Sequence, residues 1–214
     1  MPKLKRNWPD LRKRSAKGKT IFLSTAFTRL VPKYKRVFQT AYNLLVEHGK
    51  TLGKFDSAED SGVKIQRIWF GAAGGSNLYS RSRSDKESET FGTFLVTYNK
   101  ARFFAKFKPF NEVKDDIEKL SDFQKFINAN NGEINGIKVR TPAVLYAQIG
   151  QEHSFYVSEY LDPKRYLLIN KLLPQHYEKA RNALTVLFRE KYVVDELNCF
   201  FDTKTETLVI FDAA

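Results

Sequence analysis

Two alternating apolar runs on either side of a two-residue polar break limit most strongly what this chain can fold into. Phe94-Leu-Val-Thr-Tyr98 and Arg102-Phe-Phe-Ala-Lys-Phe-Lys108 flank Asn99-Lys100, and this spacing predicts a β-hairpin with a short turn. Side chains alternate across a strand, so Phe104, Lys106 and Lys108 share one face of the second arm. Val63 to Phe70, Ala143 to Ile149 and Ser154 to Tyr160 read as further strands. Two short strands, Cys199 to Phe201 and Thr207 to Phe211, close the chain. Eighteen Phe and ten Tyr against one Met suit pleated, half-buried surfaces and support a β-containing interior.

Between these runs the period changes. From Phe27 to Leu45 the apolar residues recur at the three-and-four spacing of an amphipathic helix, with Pro32 in its first turn and Gly49 as its stop. Lys33, Lys35 and Arg36 lie on its polar side. A second helix is predicted after Asn111, its cap, with Val113, Ile117, Leu120, Gln124 and Ile127 in one stripe that ends in the Gly/Asn-rich segment 128–136. A third opens at Pro174 and runs through Tyr177, Ala180, Leu184 and Leu187. Residues 51–62 and 161–173 read as links.

Charge is distributed unevenly. Residues 1–54 hold fourteen of the 36 Lys and Arg and two of the 24 acids, so this segment accounts for the whole formal net charge of +12. Residues 1–20 read as a flexible basic arm. Charge gathered at one end finds an acidic protein, an anionic lipid or nucleic acid. The lone cysteine, Cys199, sits in an apolar run and reads as a buried thiol, which rules out a cysteine zinc site. No stretch approaches the roughly twenty apolar residues of a membrane span, and the basic N-terminus lacks a signal peptide's apolar core, so a soluble intracellular protein is expected. His48, His153 and His176 have no partner at metal-ligand spacing.

The order of parts is strand, glycine-rich turn, hairpin strand bearing lysines, helix with acids, two strands, a connector, a helix, then Asp195 and Asn198 before a hairpin ending in Asp212. This resembles the kinase-like phosphotransferases. Phe107-Lys-Pro-Phe-Asn-Glu112 is similar to a strand end of the phosphatidylinositol 4-kinase type II group. Val193-Val-Asp-Glu-Leu-Asn-Cys-Phe-Phe-Asp202 with Leu208-Val-Ile-Phe-Asp212 resembles the catalytic loop and metal-binding strand end of minimal bacterial effector kinases.

The resemblance implies an α+β fold over residues 62–214: a kinase-like small lobe, an antiparallel sheet plus one helix, at 62–160, and a reduced helical large lobe at 161–214. Residues 1–61 would precede it as a basic arm and helical extension. ATP and Mg²⁺ would be the cofactors. Lys108 would meet the nucleotide phosphates, with Lys106 as the alternative through the Ala105-Lys106 pair. Glu112, Asp116 or Glu118 would hold that lysine. Gly71, Gly74, Gly75 and Ser76 would approach the phosphates by their backbone, and the strand holding Glu159 would lead into the adenine-binding hinge. Asp195 would be the catalytic base, and Asn198 and Asp212 would bind the metal. Asp195 precedes Asn198 by three positions where the family has five, no His or Arg stands immediately before it, and Asp212 lies two residues from the end of the sequence, so a minimal kinase, a pseudokinase that only binds or a truncated copy is implied. The competing expectation is a nucleic-acid-binding or viral-type structural protein that neutralises phosphates with its basic arm and stacks bases on Trp69, Tyr79 or Tyr98.

Overall fold

A computed structural model of the chain describes residues 11–16, 19–24, 33–49, 51–52, 56–68, 92–149, 153–192, 194 and 199–210. The described elements begin with β1 (Leu11–Ala16), β2 (Lys19–Ser24), α1 (Lys33–His48), β3 (Ser57–Asp60), β4 (Val63–Ile68), β5 (Gly92–Tyr98) and β6 (Ala101–Pro109). There follow α2 (Phe110–Ala129), β7 (Glu133–Ile134), β8 (Ile137–Arg140), β9 (Val144–Ile149) and β10 (His153–Glu159). The chain ends with β11 (Tyr166–Leu168), a 3₁₀ turn (Ile169–Lys171), α3 (Pro174–Arg189), β12 (Cys199–Asp202) and β13 (Thr207–Ile210). The protein is α+β, and no described helix is long and apolar enough to cross a membrane. It forms two compact units, one drawn from Met1–Lys114 and Ala143–Tyr160, the other from Asp115–Pro142 and Leu161–Ala214.

The first unit is an eight-stranded sheet in the order β1-β2-β9-β10-β6-β5-β4-β3. Every neighbouring pair in it is antiparallel. Two-residue turns set the hairpin registers. Ser61 and Gly62, at φ 50° and 73°, join Asp60 to Val63, the paired left-handed residues of the turn that matches strand twist. Asn99, at φ 55°, occupies the left-handed region that asparagine tolerates better than branched residues, and Tyr98 pairs with Ala101 across it.

One face of this sheet is covered by α1. Val37, Phe38, Ala41, Tyr42 and Leu45 pack with Val63 and Ile65 of β4, Phe94 and Val96 of β5, Phe103, Ala105 and Phe107 of β6, Tyr146 of β9 and Phe155 of β10. Lys35 and Arg36 stay exposed on the helix's other side, as its periodicity requires. Phe38 is the keystone ring: 5.0 Å from Phe103, 5.6 Å from Tyr146 and 6.2 Å from Tyr34. Tyr146 donates its hydroxyl to Gln148 at 2.9 Å; burial, and after it the neighbouring Tyr42, pushes its phenol far above the ordinary range.

The second unit has a five-stranded sheet, β11-β12-β13-β8-β7, in which β13 and β8 run parallel. Its core joins Phe123 and Ile127 of α2, Ala180, Ala183, Leu184 and Leu187 of α3, and Cys199, Phe201, Leu208 and Ile210 of the β12–β13 hairpin. Cys199 is buried, as its apolar neighbours predict.

Four parts of the sequence reading change. Residues 11–16 and 19–20, read as part of a flexible arm over 1–20, belong to the strands 11–16 and 19–24 at one end of the larger sheet. Ile21-Phe22-Leu23 supplies β2 with apolar residues, and β2 hydrogen-bonds to β9. The segments read as links contain β3 and β11, and the helix-ending segment 128–136 together with the residues after it forms the β7–β8 hairpin. The second unit takes Asp115–Pro142 from within the stretch 62–160, and it holds a sheet of its own beside its helices. Asn111 lies inside α2, which begins at Phe110, and α1 begins at Lys33, just past Pro32. Phe27 to Pro32 lie outside the described residues.

Truncating Phe38 to Ala removes the ring on which three aromatic contacts converge, so we expect a loss of about 3–5 kcal/mol. Urea unfolding followed by fluorescence would measure it, with the exposed-side change Arg36→Ala within about 0.5 kcal/mol of wild type.

Candidate functional site

The face of the larger sheet away from α1 carries the lysines. Alternation along β6 sends Phe103, Ala105 and Phe107 into the core under α1 and leaves Phe104, Lys106 and Lys108 on the opposite face. Lys106 is opposite Thr93 on β5 and Tyr156 on β10, and Lys108 is opposite Ser154. The two lysines are half-buried, whereas Ser154 and Tyr156 beside them are buried.

Each lysine has a specific neighbour. The Lys106 ammonium stands 5.9 Å from the centre of the Tyr156 ring, a cation–π geometry. Lys108 Nζ lies 3.7 Å from Glu112 Oε2 in the first turn of α2, and Glu112 is one of the acids expected to hold this lysine. Successive same-face positions on a strand are about 7 Å apart, so the two lysines project from neighbouring positions of one face. Further along the face, Phe104 meets Tyr160 at 5.0 Å and the Arg102 guanidinium lies 5.7 Å from the same ring. The sequence reading did not single out Tyr156 or Ser154 as site residues. Their signal was the alternation of β10, which puts positions 154, 156 and 158 on the lysine side once its register with β6 is known.

Glu159 is engaged locally. Its carboxylate accepts the Ala143 N–H at 2.8 Å, and its own N–H donates to the Ala143 carbonyl at 2.9 Å. Among the described contacts its side chain and its backbone N–H close the end of the β9–β10 pair. Gly71, Gly74, Gly75 and Ser76 lie outside the described residues, in the segment that joins β4 to β5. Trp69 and Tyr79 also lie outside them, and Tyr98 packs edge-on against Tyr34 at 6.3 Å.

Asp195, Asn198 and Asp212 are likewise outside the described residues. What is described is the hairpin to which the last two attach. Cys199, which follows Asn198, pairs with Ile210, two residues before Asp212. The far end of that hairpin is closed by Asp202, 1% exposed. Its carboxylate accepts Arg165 Nε at 3.0 Å and Nη2 at 2.5 Å, the Thr205 hydroxyl at 2.6 Å and the Lys204 N–H at 3.1 Å. Burial opposes ionisation of Asp202, but the Arg165, Thr205 and Lys204 hydrogen bonds outweigh it and hold the carboxyl below its usual range. At the same turn Glu206 accepts from Lys179 at 2.8 Å and stands 3.8 Å from His176 Nδ1. Among the described residues no group of three or more His, Cys, Asp or Glu is gathered as a metal site.

Because the folded-state pKa of Asp202 is depressed, its contribution is fully present above the unfolded carboxylate value near 3.9 and is lost as pH falls through the lower folded value. Asp202→Asn should cost about 2–4 kcal/mol at neutral pH. The difference from wild type should shrink below about pH 4, where wild type begins to lose the same charge. Thermal unfolding from pH 3 to 7 checks both.

No protein-family model matches the chain, and no curated protein matches it. Among solved structures the chain is similar to the BubR1 kinase domain, with a TM-score of 0.37 and 12% identity over 85% of this chain and 59% of that one. It is also similar to vaccinia related kinase 3, with a TM-score of 0.31 and 15% identity over 75% of this chain and 50% of that one. The chain therefore spans between half and three-fifths of the length of these two structures.

Proposed function

We propose that this chain is a kinase-like phosphotransferase, or a pseudokinase derived from one, that binds ATP with Mg²⁺ at the lysine-bearing face of its larger sheet. The observation that carries this reading is the order β4-β5-β6: three adjacent antiparallel strands, a glycine-containing connection between the first two, and lysines on the third. Phosphoryl transfer by kinases uses that set, a glycine-rich loop over the phosphates and a strand lysine steadied by a helix glutamate. Lys108 with Glu112 at 3.7 Å fits the steadied lysine, and Lys106 adds a second cation on the same face.

The residues present fit a nucleotide triphosphate on the criterion of charge. Half-buried ammonium groups flanked by Tyr156 and Ser154 interact with an anion more strongly than they would in bulk water. Lys108 and Lys106 would orient the phosphates, and the backbone of Gly71, Gly74, Gly75 and Ser76 would cover them. The β10 backbone near Glu159 would receive the base. Asn198 and Asp212 would hold the metal, and Asp195 would accept the proton of the acceptor hydroxyl. Bound MgATP supplies the phosphoryl group. An inactive descendant would keep the first four roles and lose the last.

The nucleic-acid reading is not favoured, because the basic run Arg12-Lys-Arg14 belongs to a strand of the sheet instead of a free arm.

Binding of a fluorescent ATP analogue, with and without Mg²⁺, tests the proposal. Lys108→Met should weaken nucleotide binding about tenfold or more, and Lys106→Met should do so to a lesser extent. Asp212→Ala should abolish the Mg²⁺ dependence. Wild-type protein indifferent to ATP and Mg²⁺ would refute the reading, and equal affinity in the Lys108 variant would remove that residue from the site.

A further inference from the structure

The larger sheet ends on two edge strands of opposite charge. Among the described residues β1 pairs only with β2, and β3 pairs only with β4. β1 reads Leu-Arg-Lys-Arg-Ser-Ala, three bases and no acid. β3 reads Ser-Ala-Glu-Asp, two acids and no base, directly after Asp56; Ser57, Glu59 and Asp60 are exposed. An open sheet edge presents a row of backbone donors and acceptors that a further strand can extend, and charge decides which strand.

Strand direction makes the two ends compatible. All seven neighbouring pairs in the sheet are antiparallel, and the number of strands is even, so β1 and β3 run in opposite directions. A second copy set beside the first in the same sense therefore brings its β3 antiparallel to β1 and continues the alternation unbroken. Pairing β1 with β1, or β3 with β3, would set like charges directly across from one another, which is unfavourable on adjacent strands.

From this we infer that the protein self-associates head to tail, the basic edge strand β1 of one copy adding to the acidic edge strand β3 of the next. Such a joint is heterologous: it uses two different patches, so each added copy leaves one edge of either kind open and the product is a row of variable length, not a closed dimer. The ladder is short, because β3 has four residues, so the contact is weak and grows with concentration. It is sensitive to salt, since its choice of partner is electrostatic. The net +12 of each chain opposes association at long range, and the paired edges act only at contact.

Sedimentation of the full chain, freed of nucleic acid, tests this over a wide concentration range at low salt and at about 1 M salt, where the screening length falls to about 3 Å. The expected result is a concentration-dependent rise in average mass that high salt suppresses. One variant carries Arg12→Glu, Lys13→Glu and Arg14→Glu; a second carries Glu59→Lys and Asp60→Lys. Each alone should associate about tenfold more weakly than wild type, while an equal mixture of the two should regain association. Circular dichroism melts confirm that each variant is folded, and the second, altered only at exposed positions, keeps the test decisive where the first does not fold: its loss of association is then required. Wild type that stays monomeric, reversals without effect, or a mixture of two folded variants that stays monomeric would each overturn the inference.

Discussion

The alternation of β6 is the constraint on which the first unit depends. The strand sits in the middle of the larger sheet, hydrogen-bonded to β5 on one side and β10 on the other. Its odd residues Phe103, Ala105 and Phe107 fix the seat of α1, and its even residues Phe104, Lys106 and Lys108 follow on the other side. A slip of one residue would drive both lysines under Phe38 and turn Phe103 and Phe107 outward, exchanging faces completely. Register is therefore enforced by the aromatic core, and the positions of the lysines are a by-product of hydrophobic packing. A site built this way is steadier than one on a loop, because the cost of moving it is the cost of unpacking α1.

The second unit reaches a comparable result with a different device. Its terminal hairpin has only four residues in each strand, too short to be stable alone. It is held along its length by β8 and β11 and at its turn by Asp202, whose carboxylate gathers Arg165, Thr205 and the Lys204 N–H. Arg165 is half exposed, so its own desolvation is incomplete, and the pair behaves as an anchor from the surface into a buried acceptor. The opposite end, where Cys199 pairs with Ile210, inherits its register from that anchor.

Much of this was legible where one signal acted alone. The Phe94–Lys108 hairpin followed from alternation plus a turn dipeptide, and the α2 stripe of Val113, Ile117, Leu120, Gln124 and Ile127 is buried at every position. The reading went astray where two signals competed. Five basic residues between Arg12 and Lys19 read as a solvated arm, although Ile21-Phe22-Leu23 next to them was an apolar strand core. Edge strands tolerate such charge, and among the described residues β1 has a neighbouring strand on one side only. Asn135-Gly136 between Ile134 and Ile137 was a strong two-residue hairpin signal, with φ of 52° and 76° in the structure, but it was absorbed into a helix-breaking segment. That α2 from Asp115 onward belongs to the second unit was not legible, since a stripe reveals that a face is buried and not against what.

The charge distribution gains a sharper meaning from the fold. Beyond residue 54 bases and acids balance, so a lysine there is not part of a general positive field and its position must be explained locally. Long cationic side chains are usually exposed, and placing two of them half-buried on a central strand forfeits hydration that Val or Thr would not. Tyr156 meets Lys106 through its ring face and Glu112 meets Lys108 through its carboxylate. Cation–π and long ion-pair contacts of this kind are weak, on the order of 0.5–1 kcal/mol where solvent reaches them. They steady the two lysines at neighbouring same-face positions of β6, and the packing of β6 under α1 fixes those positions.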